Sequence, residues 1–575
     1  MNNRFSLTLL ALLAPLAALG AEIRVAGVSG ELLAAAQDAA KTVSLEDASD
    51  DEARFAADEA VISVMRSLGY STPFVRTRVS RGSQKDITRL DVSVEPGPRT
   101  VIARTDVVIT GEAKDDPDFI RLFSSVPKEG DSLLHAQFDG FLNDVTALAA
   151  KKGYFDAKFT RSDLGINARR AKAVWFIAFD SGRRYRFGGL STKGSQIEEP
   201  YLMNLAAFKK GEPYDSGKLA DFSQNLSETG WFSSVVLVPD LAKAKGSHEA
   251  ELDLTAEVAP KKKNAVDIGL GISSDVGPNL TLSWDKPWIN ARGHSFESEL
   301  SLDSKEQSAD LTYTIPVKAS PLTDSYALKA GFKRTSLNDT KSDSQAVAVS
   351  RYHRLPSRWQ VSAGFHILHD NFDQASSDSD TFALYPELAV SRTRQRGGVM
   401  PVWGDTQRYS IEIGRRIWAS DIDFIRLQAS GTLIRTYAQK HRFVARYSAG
   451  WISTDKFERM PTDLRFFAGG DRSIRGYDYK SISPRDENGK LTGASKMLTA
   501  SLEYQYNFTG RWWGALFADA GEAVRSLSSH DFKKSLGAGI RWNSPIGPVK
   551  LDIAHPVGDS GEKGWTFYMG LGGEL

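Results

Sequence analysis

The sequence predicts a two-part chain: α+β repeats over the first 260 residues, then an all-β antiparallel transmembrane barrel of about 16 strands. Three observations predict it. Glycine-ended helix–strand phrases recur before residue 260. From residue 264 the apolar pattern changes to period two and stays there. The average residue is polar, with a mean hydropathy of −0.32, yet aromatics reach 10% and glycines number 48. Such an average excludes a helical membrane protein but not a barrel, in which lumen-facing polar residues dilute every strand.

At the start, residues 1–20 (MNNRFSLTLLALLAPLAALG) read as a signal peptide. Arg4 precedes an apolar stretch from Phe5 to Leu19, and Ala18 and Gly20 suit the small-residue positions before a cleavage site. No later segment offers the roughly 18 uninterrupted apolar residues that a spanning helix needs. Lys+Arg total 72 and Asp+Glu 71; a leader containing only Arg4 leaves 71 of each after removal. That neutrality argues against a nucleic-acid binder, which carries a basic face or excess. With no cysteine, the chain cannot mispair thiols in an oxidising compartment.

The repeated phrases are LGYSTPF (68–74), KGYFDAKF (152–159) and TGWFSSVVL (229–237), whose glycines Gly69, Gly153 and Gly230 stand 84 and 77 residues apart. Each glycine reads as the stop of an amphipathic helix. The stripes expected are Phe55, Ile62 and Met65 in the first copy, and Phe138, Phe141, Leu142, Val145 and Leu148 in the second. In the third they are Leu219, Phe222 and Leu226. A strand follows each glycine, and a second strand closes each unit: LDVSV (90–94), VWFIAF (174–179) and LDLTAEV (252–258).

Behind them, SFESELSLD (295–303), ADLTYTIPVK (309–318) and HRFVARYSAGW (441–451) alternate strictly. In the last, Phe443, Ala445, Tyr447, Ala449 and Trp451 face one way, and Arg442, Val444, Arg446 and Ser448 the other. Strands of about ten residues with aromatics near their ends suit a membrane barrel better than a soluble sandwich. Roughly 20 residues per strand and connection gives about 16 strands over the remaining length. The first strand, AVDIGLGISSD (265–275), and the last, GWTFYMGLGGEL (564–575), are both rich in glycine. Glycine weakens strand pairing, so Gly269, Gly271, Gly570, Gly572 and Gly573 are expected to mark a weak lateral seam.

Residues 464–480, LRFFAGGDRSIRGYDYK, break the alternation with two glycines, an acid and an Ile-Arg-Gly-Tyr turn. A loop of this kind can tuck into the lumen, where the Arg475 guanidinium needs paired acceptors. The strands TASLEYQY (499–506) and ALFADAG (515–521) offer Glu503 and Asp519. The set resembles the outer-membrane protein 85 superfamily, whose sixth barrel loop carries a VRGF/Y motif facing acids on the barrel wall. The resemblance implies sixteen strands, an inserted-loop motif of Ile474, Arg475, Gly476 and Tyr477, and Glu503 and Asp519 as the lumen acids. Ile474 replaces the more usual valine. SLGAGIRWNSPIGPVKLDIAHP (535–556) is similar to the superfamily's closing motif, with Pro545, Gly547 and Asp552 in the expected places.

The front repeats resemble POTRA domains, assigned as 21–98, 99–182 and 183–259, with the barrel at 260–575. Within the superfamily, FFAGGDRSIRGYDY is most similar to the TamA branch, the outer-membrane subunits of translocation and assembly modules. That branch implies an outer-membrane factor assisting insertion or secretion of barrel proteins such as autotransporters. It also implies POTRA domains in the periplasm, a TamB-type inner-membrane partner, unfolded outer-membrane protein substrates and contact with outer-membrane lipid. Phospholipid transport with the same partner, a BamA-like general insertase and a two-partner secretion exporter remain alternatives. Three POTRA units favour the TamA type over a BamA-like chain, which carries more.

Enzymatic readings are weak. GDSGEKG (558–564) contains a protease-like GDSG string, but Gly, Asp and Ser are ordinary turn formers and Glu562 departs from that pattern. His366 and His369, three apart on a strand, point to opposite faces rather than to one metal. Lys261, Lys262 and Lys263 read as a solvated linker. No catalytic residue, metal or cofactor is expected.

Overall fold

The computed structural model describes residues 21–45, 48–82, 86–246, 249–528, 530–545, 547–559 and 564–572. The proposed signal peptide therefore lies outside the described residues, as do Ser560, Glu562 and Gly573. The chain divides into two compact units. One comprises residues up to 189 with 208–218 and 239–253; the other comprises 190–207, 219–238 and 254–575.

The first unit is built on two three-stranded sheets of one design, with the closing strand of each repeat at the centre. Ile87–Glu95 lies between parallel Glu22–Ala26 and antiparallel Phe74–Arg81. Lys172–Asp180 lies likewise between Val101–Thr110 and Lys158–Asn167. A third sheet repeats the order with Arg186–Lys193, Glu251–Pro260 and Phe232–Pro239.

Helices cover one face of each sheet. Helix Asp50–Ser67 starts with a capping box, in which the Glu52 backbone N–H donates to Ser49 Oγ and the Ser49 N–H donates to the Glu52 carboxylate. Helix His135–Lys152 ends at Gly153, whose φ is +82°; a Cβ there would lie 2.7 Å from Tyr214 Cβ. In this second repeat Phe138, Phe141 and Val145 are buried against Trp175, Ile177 and Phe179, with Leu142 and Leu148 partly buried beside them.

The first repeat departs from expectation. Phe55 is 69% exposed and Ile62 is only partly buried, while the inward stripe is Ala53, Ala57, Val61 and Met65. Helix Gly30–Lys41 presents its own alanines, Ala36, Ala39 and Ala40, to the same core. Alanines on both helices line this core together with Val61, Met65, Leu90 and Val92, and Phe55 falls on the outward face.

The second unit contains a closed antiparallel barrel of sixteen strands, from Ala265–Ser273 to Thr566–Leu571. Strand length runs from 6 residues in the last strand to 20 in Ser377–Arg396. Outward positions such as Leu328, Val349, Phe365, Leu388 and Leu516 are exposed and apolar, whereas inward positions include buried Glu412, Arg426, Arg442, Glu503 and Asp519. Closure pairs the strand edges around the barrel, which is what a span without water requires, with the first and last strands joined at Ser273 and Gly570.

Candidate functional site: the inserted loop and the seam

Between strands His441–Thr454 and Lys496–Asn507 the chain makes a long loop that fills part of the lumen. It has its own small ladder. Phe466 and Ala494 exchange N–H···O bonds, and so do Ala468 and Ile482. Its apolar side chains Phe457, Met460, Leu464, Phe466, Ile474 and Tyr477 are buried with Leu368, Tyr385, Phe424 and Ile452 of the wall. Wall groups also hold the loop backbone: Asp370 accepts from the Thr462 N–H at 2.8 Å, and Arg426 Nε donates to the Leu464 carbonyl at 3.0 Å.

The predicted motif sits at the tip of this packing. Arg475 is 1% exposed, and its five N–H groups make five side-chain hydrogen bonds. Nε and Nη2 donate to Asp519 at 2.8 and 3.0 Å, and Nη1 donates to Glu503 at 2.7 Å and Asp552 at 3.3 Å. Nη2 also donates to Ser501 Oγ at 3.2 Å, and the Arg475 backbone N–H adds a bond to Asp519 at 3.0 Å. The guanidinium carbon lies 3.3 Å from the centroid of the Phe517 ring. The structure thus brings Arg475, Glu503 and Asp519 together.

Sequence reasoning did not assign the remaining members to this cluster, although Asp552 was a motif position and Arg446 an inward one. Arg541 donates to Glu503 at 2.6 Å and to Asp552 at 3.1 Å, and Arg446 Nη2 stands 3.8 Å from Glu503. Three carboxylates therefore meet three guanidinium groups, which is the condition for burying them. Asp552 was legible within LDIAHP as a motif position, and Arg541 shares the inward face of its strand with Gly537 and Gly539. Those glycines mark the crowding: a Cβ on Gly539 would lie 1.8 Å from Asp552 Oδ1. Gly476 also has a reason to be glycine, because its φ is +93°.

The loop reaches both sides of the barrel seam. On the last strand, the Tyr568 hydroxyl accepts from the Gly476 N–H at 2.8 Å and donates to the Tyr477 carbonyl at 2.9 Å. Beyond the first strand, Asp275 accepts from the Asp471 N–H at 2.9 Å, while Lys550 pairs with the Asp471 carboxylate. Tyr477 Oη donates to Asp559 at 3.3 Å, which places the aspartate of the GDSG string in a structural contact.

The seam is thin among the described residues, and of the glycines expected there only Gly570 enters its ladder. Among the described residues one ladder pair, Ser273 opposite Gly570, joins the first strand to the last, supplemented by an exchange between Ser274 and Met569. Gly269 and Gly271 lie opposite Thr281 and Asn279 of the second strand, and Gly572 falls just beyond the last strand with its N–H on the Pro548 carbonyl. Within the described residues the last strand is staggered past the end of the first, so its Gly570 is the residue that meets Ser273. Among the described residues Ala265–Ile272 has no ladder partner on that side, and Leu270 is 74% exposed. A cleft of about 470 Å³ beside the seam is lined by Ile540, Leu551, Ile553, Phe567 and Met569.

His366 and His369 diverge: His366 meets Glu387 at 3.0 Å and stacks on Tyr385, and His369 meets Asp380 at 2.7 Å. Among the described residues no three His, Asp or Glu side chains gather as a metal site. Lys263 Nζ lies 4.7 Å from the Trp288 ring centroid, at the turn after the second barrel strand.

The chain thus combines α+β repeats with a sixteen-strand barrel whose lumen loop is locked by a buried arginine. Residues 289–575 match the model of the Omp85 superfamily domain, so the C-terminal half of this chain is an Omp85 superfamily domain. The outer membrane protein assembly factor BamA of Nitratidesulfovibrio vulgaris is 25% identical over 373 residues, covering 62% of this chain and 46% of that protein. BamA of Neisseria meningitidis serogroup B is 19% identical over 582 residues, covering 88% of this chain and 71% of that protein. The chain thus spans under half the length of the first of these relatives. The crystal structure of BamA from Haemophilus ducreyi lacking POTRA domains 1–3 superposes with a TM-score of 0.69 at 15% identity. It covers 82% of this chain and 99% of that one, a likeness of fold.

Proposed function

We propose that the protein is an outer-membrane assembly factor that offers the edge of its first barrel strand to unfolded barrel proteins through a lateral seam. The observation that carries this reading is that, among the described residues, a single ladder pair, Ser273–Gly570, joins first and last strands, braced from inside by the Arg475 loop. Cross-strand pairs contribute roughly 0.2–1 kcal/mol each, so one pair resists opening weakly. An opened first strand carries a row of unpaired N–H and C=O groups, which is a template for an incoming strand. The names of the relatives, assembly factors of the outer membrane, support the same activity class.

Within that class we read the chain as the TamA type, acting on substrates such as autotransporters with a TamB-type inner-membrane partner at POTRA domains in the periplasm. The loop wording FFAGGDRSIRGYDY and the three α+β units in this sequence support it. The role requires no bond chemistry. A general insertase of the BamA kind is the second reading, favoured by the names of the curated relatives. The test is reconstitution of the full chain in liposomes, with and without Ser273→Cys/Gly570→Cys. The oxidised pair should block insertion of an unfolded autotransporter barrel, and reductant should restore it. Full insertion by the verified crosslinked form would refute seam opening. Equal insertion of unrelated barrels without any partner would favour the general insertase.

A further inference from the structure

Three adjacent strands, Ser377–Arg396, Trp403–Gly414 and Phe424–Tyr437, carry an arginine cluster that the assembly mechanism does not use. Register fixes its face. Leu388, Ile411 and Leu427 stand in one row across these strands, and Leu388 and Leu427 are exposed on the outer wall. The next row, Glu387, Glu412 and Arg426, points into the lumen, where Arg426 binds Glu412 at 2.7 Å. Counting by twos from the outward row reaches Arg392, Arg394, Arg396, Trp403, Asp405 and Arg435. All lie near turns 397–402 and 438–440, at the end from which the first barrel strand starts.

The cluster is organised around one acid. Asp405 is fully buried beneath Arg394 at 2.7 Å and Arg392 at 3.3 Å, with Arg435 at 3.8 Å. Arg394, Arg396 and Arg435 surround the Trp403 ring at 5.1, 5.1 and 4.6 Å from its centroid, and Arg392 lies 4.4 Å from that of Trp359. Arg392 Nε is buried without a hydrogen-bond acceptor, and among the described residues Arg396 meets no carboxylate. Four guanidinium groups against one carboxylate leave a formal excess of three positive charges beside the exposed apolar Leu388 and Leu427 of the outer wall.

Such an excess is costly beside hydrocarbon unless an anion neutralises it. Guanidinium forks match phosphate oxygens, and tryptophans anchor at the headgroup level of a bilayer. Free phosphate would leave Leu388 and Leu427 uncovered, whereas a ligand with acyl chains covers them. We propose that this patch binds the headgroup of an anionic phospholipid, in the leaflet at the end where the first barrel strand starts. The inference rests on the reading of the barrel as membrane-spanning.

The test uses the full chain in nanodiscs of phosphatidylcholine doped with phosphatidylglycerol, with bound lipid counted by native mass spectrometry after detergent release. The wild type should retain phosphatidylglycerol in preference to phosphatidylcholine. Arg396→Gln/Arg435→Gln, which spares the two arginines closest to Asp405, should lower that retention about tenfold or more. Asp405→Asn, which removes the acid and keeps the arginines, should retain at least as much as wild type. Wild-type retention by the double variant, or equal retention of both lipids, would overturn the site while leaving the barrel reading intact. Displacement of the lipid by millimolar inorganic phosphate would assign the patch to phosphate alone and overturn the lipid. A chain that stays soluble without any bilayer would overturn the membrane reading and the site together.

Discussion

Arg475→Ala is the most informative single change, because it removes five side-chain hydrogen bonds and touches no strand ladder. Asp519 loses both of its side-chain donors from the guanidinium, while Glu503 and Asp552 keep Arg541. Three buried carboxylates are then left with two guanidinium groups, one of them only within 3.8 Å of Glu503. Breaking a buried pair by deleting one partner costs about 3–5 kcal/mol. The cost falls on loop insertion, so the open-loop population should rise by roughly two to three and a half decades. Arg475→Lys keeps a charge but loses the planar fork, and should fall between wild type and alanine. The assay is limited proteolysis of loop 455–495 in the folded protein, with heat-dependent gel mobility as the check that the barrel is intact. Equal loop protection in wild type and Arg475→Ala, with both barrels folded, would show that the arginine does not tether the loop.

Three further outcomes follow from the same geometry. Gly476→Ala should loosen the loop by about 1 kcal/mol or more, since φ is +93° and the new Cβ would meet Pro556 at 3.3 Å; proteolysis of the loop reads this. Tyr568→Phe removes the hydroxyl that accepts from Gly476 and donates to Tyr477, and should ease seam opening by roughly 1–3 kcal/mol, measured as slower crosslinking of Ser273→Cys/Gly570→Cys. Phe119→Ala, at a fully buried ring packed on Tyr154 and Phe179, should destabilise the second repeat by about 3–5 kcal/mol in urea melts of the full chain followed at that repeat, with loop protection unchanged.

The sequence by itself determined the class of architecture. Period-two alternation from residue 264 is a local property of each strand, and it persists wherever the strand ends up. The glycine-ended helices before residue 260 declared the repeats in the same way, although the alanine stripe of the first repeat shows that periodicity names a helix more securely than its buried face. Arg475, Glu503 and Asp519 were legible through the loop motif and its resemblance. What only the tertiary structure decided is register and side. Arg541 and Asp552 join the Arg475 cluster, and Tyr568 meets the Gly476–Tyr477 backbone, because closure brings the last strands level with the inserted loop. Of the seam glycines, Gly570 alone pairs across the seam among the described residues, because the staggered last strand meets the first at Ser273 while Gly269 and Gly271 lie opposite the second strand. Arg426 and Arg435 lie nine residues apart on one strand, yet one neutralises a lumen acid and the other faces outward. Alternation separates the two faces, but which face becomes lumen is set by long-range closure of sixteen strands, and no local window of sequence contains it.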